Sequence, residues 1–115
     1  MSSNTKDWVD QVIMNYYESH LRDELIDVFL SHAPEVIADL VCSVDIHNYT
    51  QMRFLAHRLK GEALFLGANR LAKVCGELEE IYECDEELLN NRMLFRLKEA
   101  FDGTQNQLLT LRGQP

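Results

Sequence analysis

The sequence has few residues that interrupt a helix and no segment that resembles a membrane span. It contains 2 prolines and 5 glycines in 115 residues, and leucine, glutamate and alanine are common, so helix is the expected structure. No apolar run approaches the roughly 20 residues needed to cross a bilayer. The N-terminus lacks a basic segment followed by an apolar one, which argues against a secretory signal. We therefore expect a cytoplasmic protein without membrane contact.

Positive charge and paired cysteines are also scarce. Lys and Arg number 11 against 19 Asp and Glu, and the resulting formal charge of −8 disfavours binding to nucleic acid or to an anionic membrane. The 3 cysteines form no CxxC pair, which is typical of reduced thiols. His20, His32 and His47 lack metal-ligand spacing with one another or with the cysteines, so no metal site is expected. The expected partner is another protein.

Apolar residues recur every three or four positions in five stretches, and no stretch alternates in the manner of a strand. This periodicity predicts helices over about 6–17, 21–44, 49–66, from 68 into an acidic cluster, and 87–112. Asn4 or Thr5 is the expected N-cap of the first helix. Pro34 removes an amide donor from the second helix, and we expect a kink or a break there.

Short connections between these stretches favour antiparallel packing of consecutive helices. We predict an all-α fold, an antiparallel up-down four-helix bundle with a short additional N-terminal helix as a lid. The chain is expected to form a single domain over 1–115, with the core bundle at about 20–112. One acidic cluster is expected to be solvated surface; it comprises Glu77, Glu79, Glu80, Glu83, Asp85, Glu86 and Glu87.

The third helix separates a core stripe from an exposed histidine. Asn48, with Gln51 three residues later, is a plausible capping box, and Gly67 is suited to end the helix in a left-handed conformation. At about 100° per residue the apolar side chains fall on one arc and His57 on nearly the opposite side. That arc consists of Met52, Leu55, Ala56, Leu59, Ala63 and Leu66.

His57, Lys60 and Gly61 together suit a phosphorylated imidazole. A neutral histidine is a nucleophile at physiological pH, since the ordinary pKa of its side chain is about 6.5. Lys60 lies on the same face and offers a point charge to phosphate oxygens. Gly61 costs about 1 kcal/mol relative to alanine inside a helix, and the space it leaves lets a partner approach the ring. Close helix packing is the other interpretation of Gly61.

The stretch HRLKGEALFLGANRL, residues 57–71, resembles the signature of histidine-phosphotransfer (HPt) domains: H-x-L-K-G, then an apolar residue followed by G-A and a leucine. The segment FLSHAPEVIADL, residues 29–40, resembles the second helix of that family, including its proline. The resemblance is good over about 20–85. Glu62 departs from it, because the family usually has a small residue there. The helical wheel turns Glu62 away from His57 and towards Arg58, four residues back.

The resemblance implies a phosphorelay function. A receiver-domain aspartyl phosphate would donate its phosphoryl group to His57, and the aspartate of another receiver would accept it. The implied partners are response-regulator receivers and a hybrid sensor kinase, and the receiver would hold the Mg²⁺; this chain would need no cofactor of its own. With no nucleotide motif, it is not expected to bind ATP or to act as a kinase. Arg53, Phe54, Leu64 and Phe65 are the candidate docking residues.

Two other functions remain open at this point. A non-catalytic helical bundle could bind and inhibit a receiver or a sensor kinase through the same surface. A structural or dimerisation bundle is the third hypothesis, but it gives no reason for placing His57, Lys60 and Gly61 off the core stripe. An exposed docking face suits a monomer, and the short tails favour a free-standing protein over a domain of a larger kinase.

Overall fold

A computed structural model describes residues 7–82 and 91–114, and these residues contain helices and no strand. The helices are α1 (Gln11–Met14), α2 (Ser19–Asp45), α3 (Tyr49–Phe65), α4 (Asn69–Glu79) and α5 (Asn91–Leu111). Helix α2 packs on α3, α3 on α4, α4 on α5 and α5 on α2, which closes a ring of four helices. The all-helical prediction is confirmed. None of the described helices is long and apolar enough to cross a membrane.

One continuous hydrophobic core fills the ring. Every position on the predicted core arc of α3 is buried, and so are Ile26, Leu40, Leu71, Leu78, Leu97 and Leu108 on the other helices. Pro34 lies inside α2 and does not break it, so of the two expected effects, a kink or a break, the break is absent. The buried Ala33 and Val36 keep the chain in the core on both sides of the proline.

The first helix is much shorter than predicted. It occupies four residues, Gln11–Met14, and its N-cap is Asp10, whose side chain accepts a hydrogen bond from the Val12 amide at 2.9 Å. Residues 8–10 are held in non-helical form, because backbone groups of these residues bond to Gln107 and to Gly67. The expected caps, Asn4 and Thr5, lie outside the described residues.

The turn between α3 and α4 fixes how those two helices meet. Gly67 has φ of 71° and so takes the left-handed conformation predicted for it. A Cβ at Gly67 would also lie 3.0 Å from the carbonyl oxygen of Asp10, tighter than ordinary contact. Glycine is therefore required both by the turn and by the close approach of the N-terminal segment.

Helix α4 ends at Glu79 and α5 begins at Asn91, so both lie within the predicted stretches. Glu77 does not stand free in solvent as expected, because Arg96 of α5 donates to both of its carboxylate oxygens, at 2.7 and 3.0 Å. That ion pair lowers the pKa of Glu77 below its usual range. The acidic residues at 83, 85, 86 and 87 lie outside the described residues.

Candidate functional site

The histidine is held on the outer face of α3 by the way that helix begins and ends. Asn48 caps it as predicted, since its side-chain oxygen accepts the Gln51 amide at 3.1 Å. Because the opposite arc is buried, the residues off that arc are turned outward. The His57 side chain is 72% exposed, which agrees with the orientation predicted from the helical wheel.

A carboxylate from α4 contacts the His57 ring. The Nδ1 atom of His57 is hydrogen-bonded to Oε2 of Glu79, whose side chain is only 18% exposed. In the neutral ring, Nδ1 then carries the hydrogen and Nε2 carries the lone pair. No described residue bonds to Nε2. The geometry therefore leaves the nucleophilic nitrogen of the imidazole facing solvent.

The same carboxylate holds Lys60. Its ammonium lies 2.5 Å from Oε1 of Glu79, so Glu79 gives one oxygen to each of the two side chains predicted for the site. The hydrogen bond from Lys60 is the largest cause that lowers the pKa of Glu79, and the hydrogen bond from His57 adds to it. Glu79 is thus ionised over the whole neutral range and bridges α3 to α4.

Sequence reasoning missed Glu79 and assigned it to a solvated acidic surface. It is separated from His57 by 22 positions on another helix, and the spacing along one chain gives no register between two helices. The one available signal was its place beside Leu78, a buried residue of the α4 stripe, because a residue next to that stripe lies near the neighbouring helix.

Two glycines give the site its space. A Cβ at Gly61 would meet nothing within 4 Å, so helix packing does not explain this residue and the surface beside His57 is open. A Cβ at Gly76 of α4 would lie 3.7 Å from Cδ of Lys60, which means that the lysine stem passes over this glycine. Cys75, which precedes Gly76 in α4, is buried, and burial together with the charge of Glu79 raises the pKa of its thiol to about 12.

The four candidate docking residues differ in their environment. Phe54, Leu64 and Phe65 are 63%, 50% and 69% exposed, unusually high for large apolar side chains. Arg53 is partly buried; it donates to the Ile81 carbonyl at 2.9 Å and its guanidinium stacks 4.0 Å from the centre of the Tyr82 ring. The three apolar side chains lie on the open surface around the site, whereas Arg53 is bonded to the residues that follow α4.

An apolar groove beside Phe65 extends this surface onto α2. It is lined by Leu25, Val28, Phe29, His32, Glu62, Phe65 and Leu66. Val28 fits the apolar periodicity of α2, but it is 55% exposed and was not among the predicted docking residues. Glu62 pairs with Arg58 at 3.7 Å, as predicted, and with His32 at 2.8 Å, so its charge is directed away from His57.

Within the described ranges, no group of three or more His, Cys, Asp or Glu side chains is placed to hold a metal ion. His20, His32 and His47 each have a different partner, and His20 lies 3.7 Å from Glu18. His32 contacts Glu62, and His47 contacts the Tyr49 hydroxyl at 3.2 Å. The described site residues thus offer a nucleophile, a cation and an open approach, but no metal cluster.

Comparison with known proteins indicates the family of the chain. A family model described as the Hpt domain matches residues 24–107, well over half of the chain. No curated protein and no solved structure matches the chain significantly. The matched range includes α3 with His57, Lys60 and Gly61, and α4 with Glu79. The chain therefore belongs to the Hpt domain family, whose domains carry out histidine phosphotransfer in two-component phosphorelays and typically interact with receiver domains.

Proposed function

We propose that the chain is a phosphorelay intermediate that accepts a phosphoryl group on Nε2 of His57 from a receiver aspartyl phosphate and passes it to another receiver. The observation that carries this proposal is the exposed ring whose Nδ1 is bonded to Glu79 while Nε2 has no bond to a described residue. An imidazole so oriented presents a lone pair to a partner without further rearrangement.

In the proposed reaction the Nε2 lone pair forms a bond to phosphorus as the bond from phosphorus to the aspartyl oxygen breaks. The receiver carboxylate leaves with the electron pair of the broken bond. The ring keeps its hydrogen on Nδ1 and gains a positive charge, which the adjacent Glu79 carboxylate stabilises. No proton has to leave the ring, and attack by a second receiver aspartate on phosphorus reverses these steps.

Lys60 and Gly61 have separate roles in this proposal. The Lys60 ammonium, held beside the ring by Glu79, neutralises charge on the phosphoryl oxygens during transfer. Gly61 leaves the approach to His57 open, because even a Cβ there would contact nothing within 4 Å. Transfer depends mainly on position and charge neutralisation, so these two contributions are the ones that this chain has to supply.

The receiver is proposed to dock on the exposed apolar side chains that surround the site. Phe54, Leu64 and Phe65 provide this rim, since they are exposed apolar side chains and aromatic residues are enriched at protein interfaces. The Mg²⁺ ion would be held by the acidic pocket of the receiver, since the proposed roles of this chain need none. A hybrid sensor kinase upstream completes the proposed pathway.

We further propose that α2 to α5 run up and down as an antiparallel bundle within a single cytoplasmic domain that acts as a monomer. The connections at 46–48 and 66–68 have three residues each. They are too short for the chain to run back along the bundle before the next helix begins, so consecutive helices are antiparallel. The family match begins in α2 and ends in α5, which supports one domain built on this ring.

The test is direct phosphotransfer. The protein is mixed with a receiver carrying labelled aspartyl phosphate, and an acid-labile, alkali-stable label is sought on this chain. We expect rapid labelling of the unaltered protein and none of His57→Gln, with the helical content of the variant unchanged. Binding without any labelling would favour the inhibitory module instead, and equal labelling of His57→Gln would overturn the assignment of the site.

A further inference from the structure

The N-terminal segment is attached to the side of the bundle formed by α4 and α5. The Trp8 ring lies over Gly103 of α5, so closely that a Cβ at that position would overlap the ring. The guanidinium of Arg70, at the start of α4, stacks 3.7 Å from the centre of the same ring. Gly103, which weakens α5 as a helix, is thus explained by the space that the indole occupies.

Backbone bonds hold the residues next to Trp8. The side-chain oxygen of Gln107 accepts the amides of Trp8 and Val9 at 2.8 and 3.2 Å, and its amide donates to the Val9 carbonyl at 3.3 Å. The Asp10 amide donates to the Gly67 carbonyl at 2.8 Å. The segment is therefore bonded both to α5 and to the turn that ends α3.

The other end of this segment reaches the proposed docking surface. The Tyr17 hydroxyl donates to the carbonyl of Phe65 at 2.9 Å. Between the two attachments, Val12 of α1 is 67% exposed and Tyr16, in the turn that follows α1, is 83% exposed. Val12 lines a surface cleft together with Gly67. A helix of four residues has no stability of its own, so its location depends on these attachments.

We propose that Trp8, seated on Gly103, is a positioning residue for receiver binding: it fixes α1 so that Val12 and Tyr16 extend the apolar surface around Phe65. The inference rests on the proposed phosphotransfer function and specifies part of the receiver surface. The occupant is the receiver domain, because α1 is joined to Phe65, beside which a receiver must dock to reach His57. Trp8 itself lies at the far end and need not touch the partner.

The experiment measures transfer from a phosphorylated receiver over a range of receiver concentrations. Trp8→Ala removes the indole, and Gly103→Ala displaces it while favouring the helix. Each is expected to raise KM for the receiver about tenfold and to leave kcat within twofold, since the surface that Trp8 positions acts on receiver binding and not on the transfer step. Trp8→Phe should recover most of the affinity. Phe95→Ala, which removes an exposed aromatic ring elsewhere on α5, is the matched control and should change neither constant.

Double variants distinguish positioning from general destabilisation. If Trp8 acts through α1, then Gly103→Ala combined with Tyr16→Ala should raise KM no more than the larger single effect. Trp8 is the only tryptophan, so its fluorescence should shift to the red in Gly103→Ala and report the displaced ring directly. Additive effects on KM, or a lowered kcat at unchanged KM, would overturn the inference.

The two proposals fail in different ways. Absence of label on the unaltered protein would overturn the proposed function, and the receiver-binding role of α1 with it. Normal labelling of the unaltered protein, combined with an unchanged KM in both Trp8→Ala and Gly103→Ala, would overturn only the role of Trp8.

Discussion

Two histidines of this chain are both paired with a glutamate from a neighbouring helix, and the two pairs differ in what they leave available. His57 uses only Nδ1, bonds to Glu79, and keeps 72% of its side chain exposed. His32 uses both nitrogens: Nδ1 donates to the Val28 carbonyl and Nε2 contacts Glu62, each at 2.8 Å. It is 29% exposed and lies edge-on to the Phe29 ring.

The difference teaches that a carboxylate partner alone does not make a histidine reactive. In the His32 pair every polar atom of the ring is engaged, and the contact joins α2 to α3 as a structural link. In the His57 pair one nitrogen remains open, with Lys60 on the same carboxylate and a glycine beside the ring. The phosphoacceptor role is therefore proposed for His57, the ring that keeps one nitrogen without a hydrogen bond to a described residue.

The largest effect is expected when each histidine is changed to glutamine, which tests whether His57 and His32 have different roles. His57→Gln should abolish labelling by a phosphorylated receiver and change the free energy of unfolding by less than about 1 kcal/mol, because the side chain is exposed. His32→Gln should retain labelling and lose about 1–2 kcal/mol of stability, because two hydrogen bonds are lost. Labelling assays and denaturant unfolding measure the two effects. Loss of label in His32→Gln at full folding would contradict the division of roles.

Filling the space at Gly61 should have the next largest effect. Gly61→Gln is expected to slow transfer on the order of 100-fold, since a partner displaced by about 1 Å loses that much rate. Gly61→Ala serves as the matched control: its Cβ meets nothing, so it should slow transfer far less and raise stability by up to about 1 kcal/mol. Rapid-quench transfer assays and thermal unfolding compare the two. Equal transfer rates in both variants would contradict the proposal that Gly61 keeps the approach to His57 open.

A smaller effect is expected when Glu79 loses its charge but keeps its shape. Glu79→Gln can still accept from His57 Nδ1, but it no longer stabilises the positive ring or holds the Lys60 ammonium by charge. A neutral hydrogen bond in place of a charged one costs about 1 kcal/mol, which corresponds to about a fivefold slower transfer. The control is Glu77→Gln, which changes another glutamate of α4 and breaks its pair with Arg96 of α5; it should leave the rate unchanged.

The smallest expected effect is the pH dependence of the Glu79 contacts. Since the pKa of Glu79 is lowered in the folded protein, its contribution to stability is complete above the ordinary carboxyl value of 4.5 and declines as the pH falls from there through the folded pKa. The difference in unfolding free energy between the unaltered protein and Glu79→Gln should therefore be constant from pH 7 to about 5.5 and shrink below 4.5. A difference that grew on acidification would contradict this sign.

Much of α3 was predictable from sequence because its determinants are local. The Asn48 cap, the Gly67 end and the buried arc follow from spacing within one helix, and the same spacing turned His57 and Gly61 outward. The all-helical class likewise follows from periodicity, and the H-x-L-K-G pattern led to the family that the domain match supports.

What could not be predicted depends on contacts between distant segments. The length of α1 is set by the bonds of Gln107 to Trp8 and Val9, almost 100 positions away, and no local pattern encodes them. Glu79 was missed for the same reason, since its role depends on the register between α3 and α4. The reason for a glycine at 103 in α5 is also non-local, because the Trp8 indole occupies the space beside it.

The carboxylate shared by His57 and Lys60 has a consequence for long-range electrostatics. With a neutral ring, one ammonium and one carboxylate, these three side chains carry no net charge, although the whole chain carries −8. An acidic receiver pocket can thus come close without repulsion from the group it must reach. An ammonium has three hydrogens, so Lys60 can donate to an arriving phosphoryl oxygen and still keep its bond to Glu79.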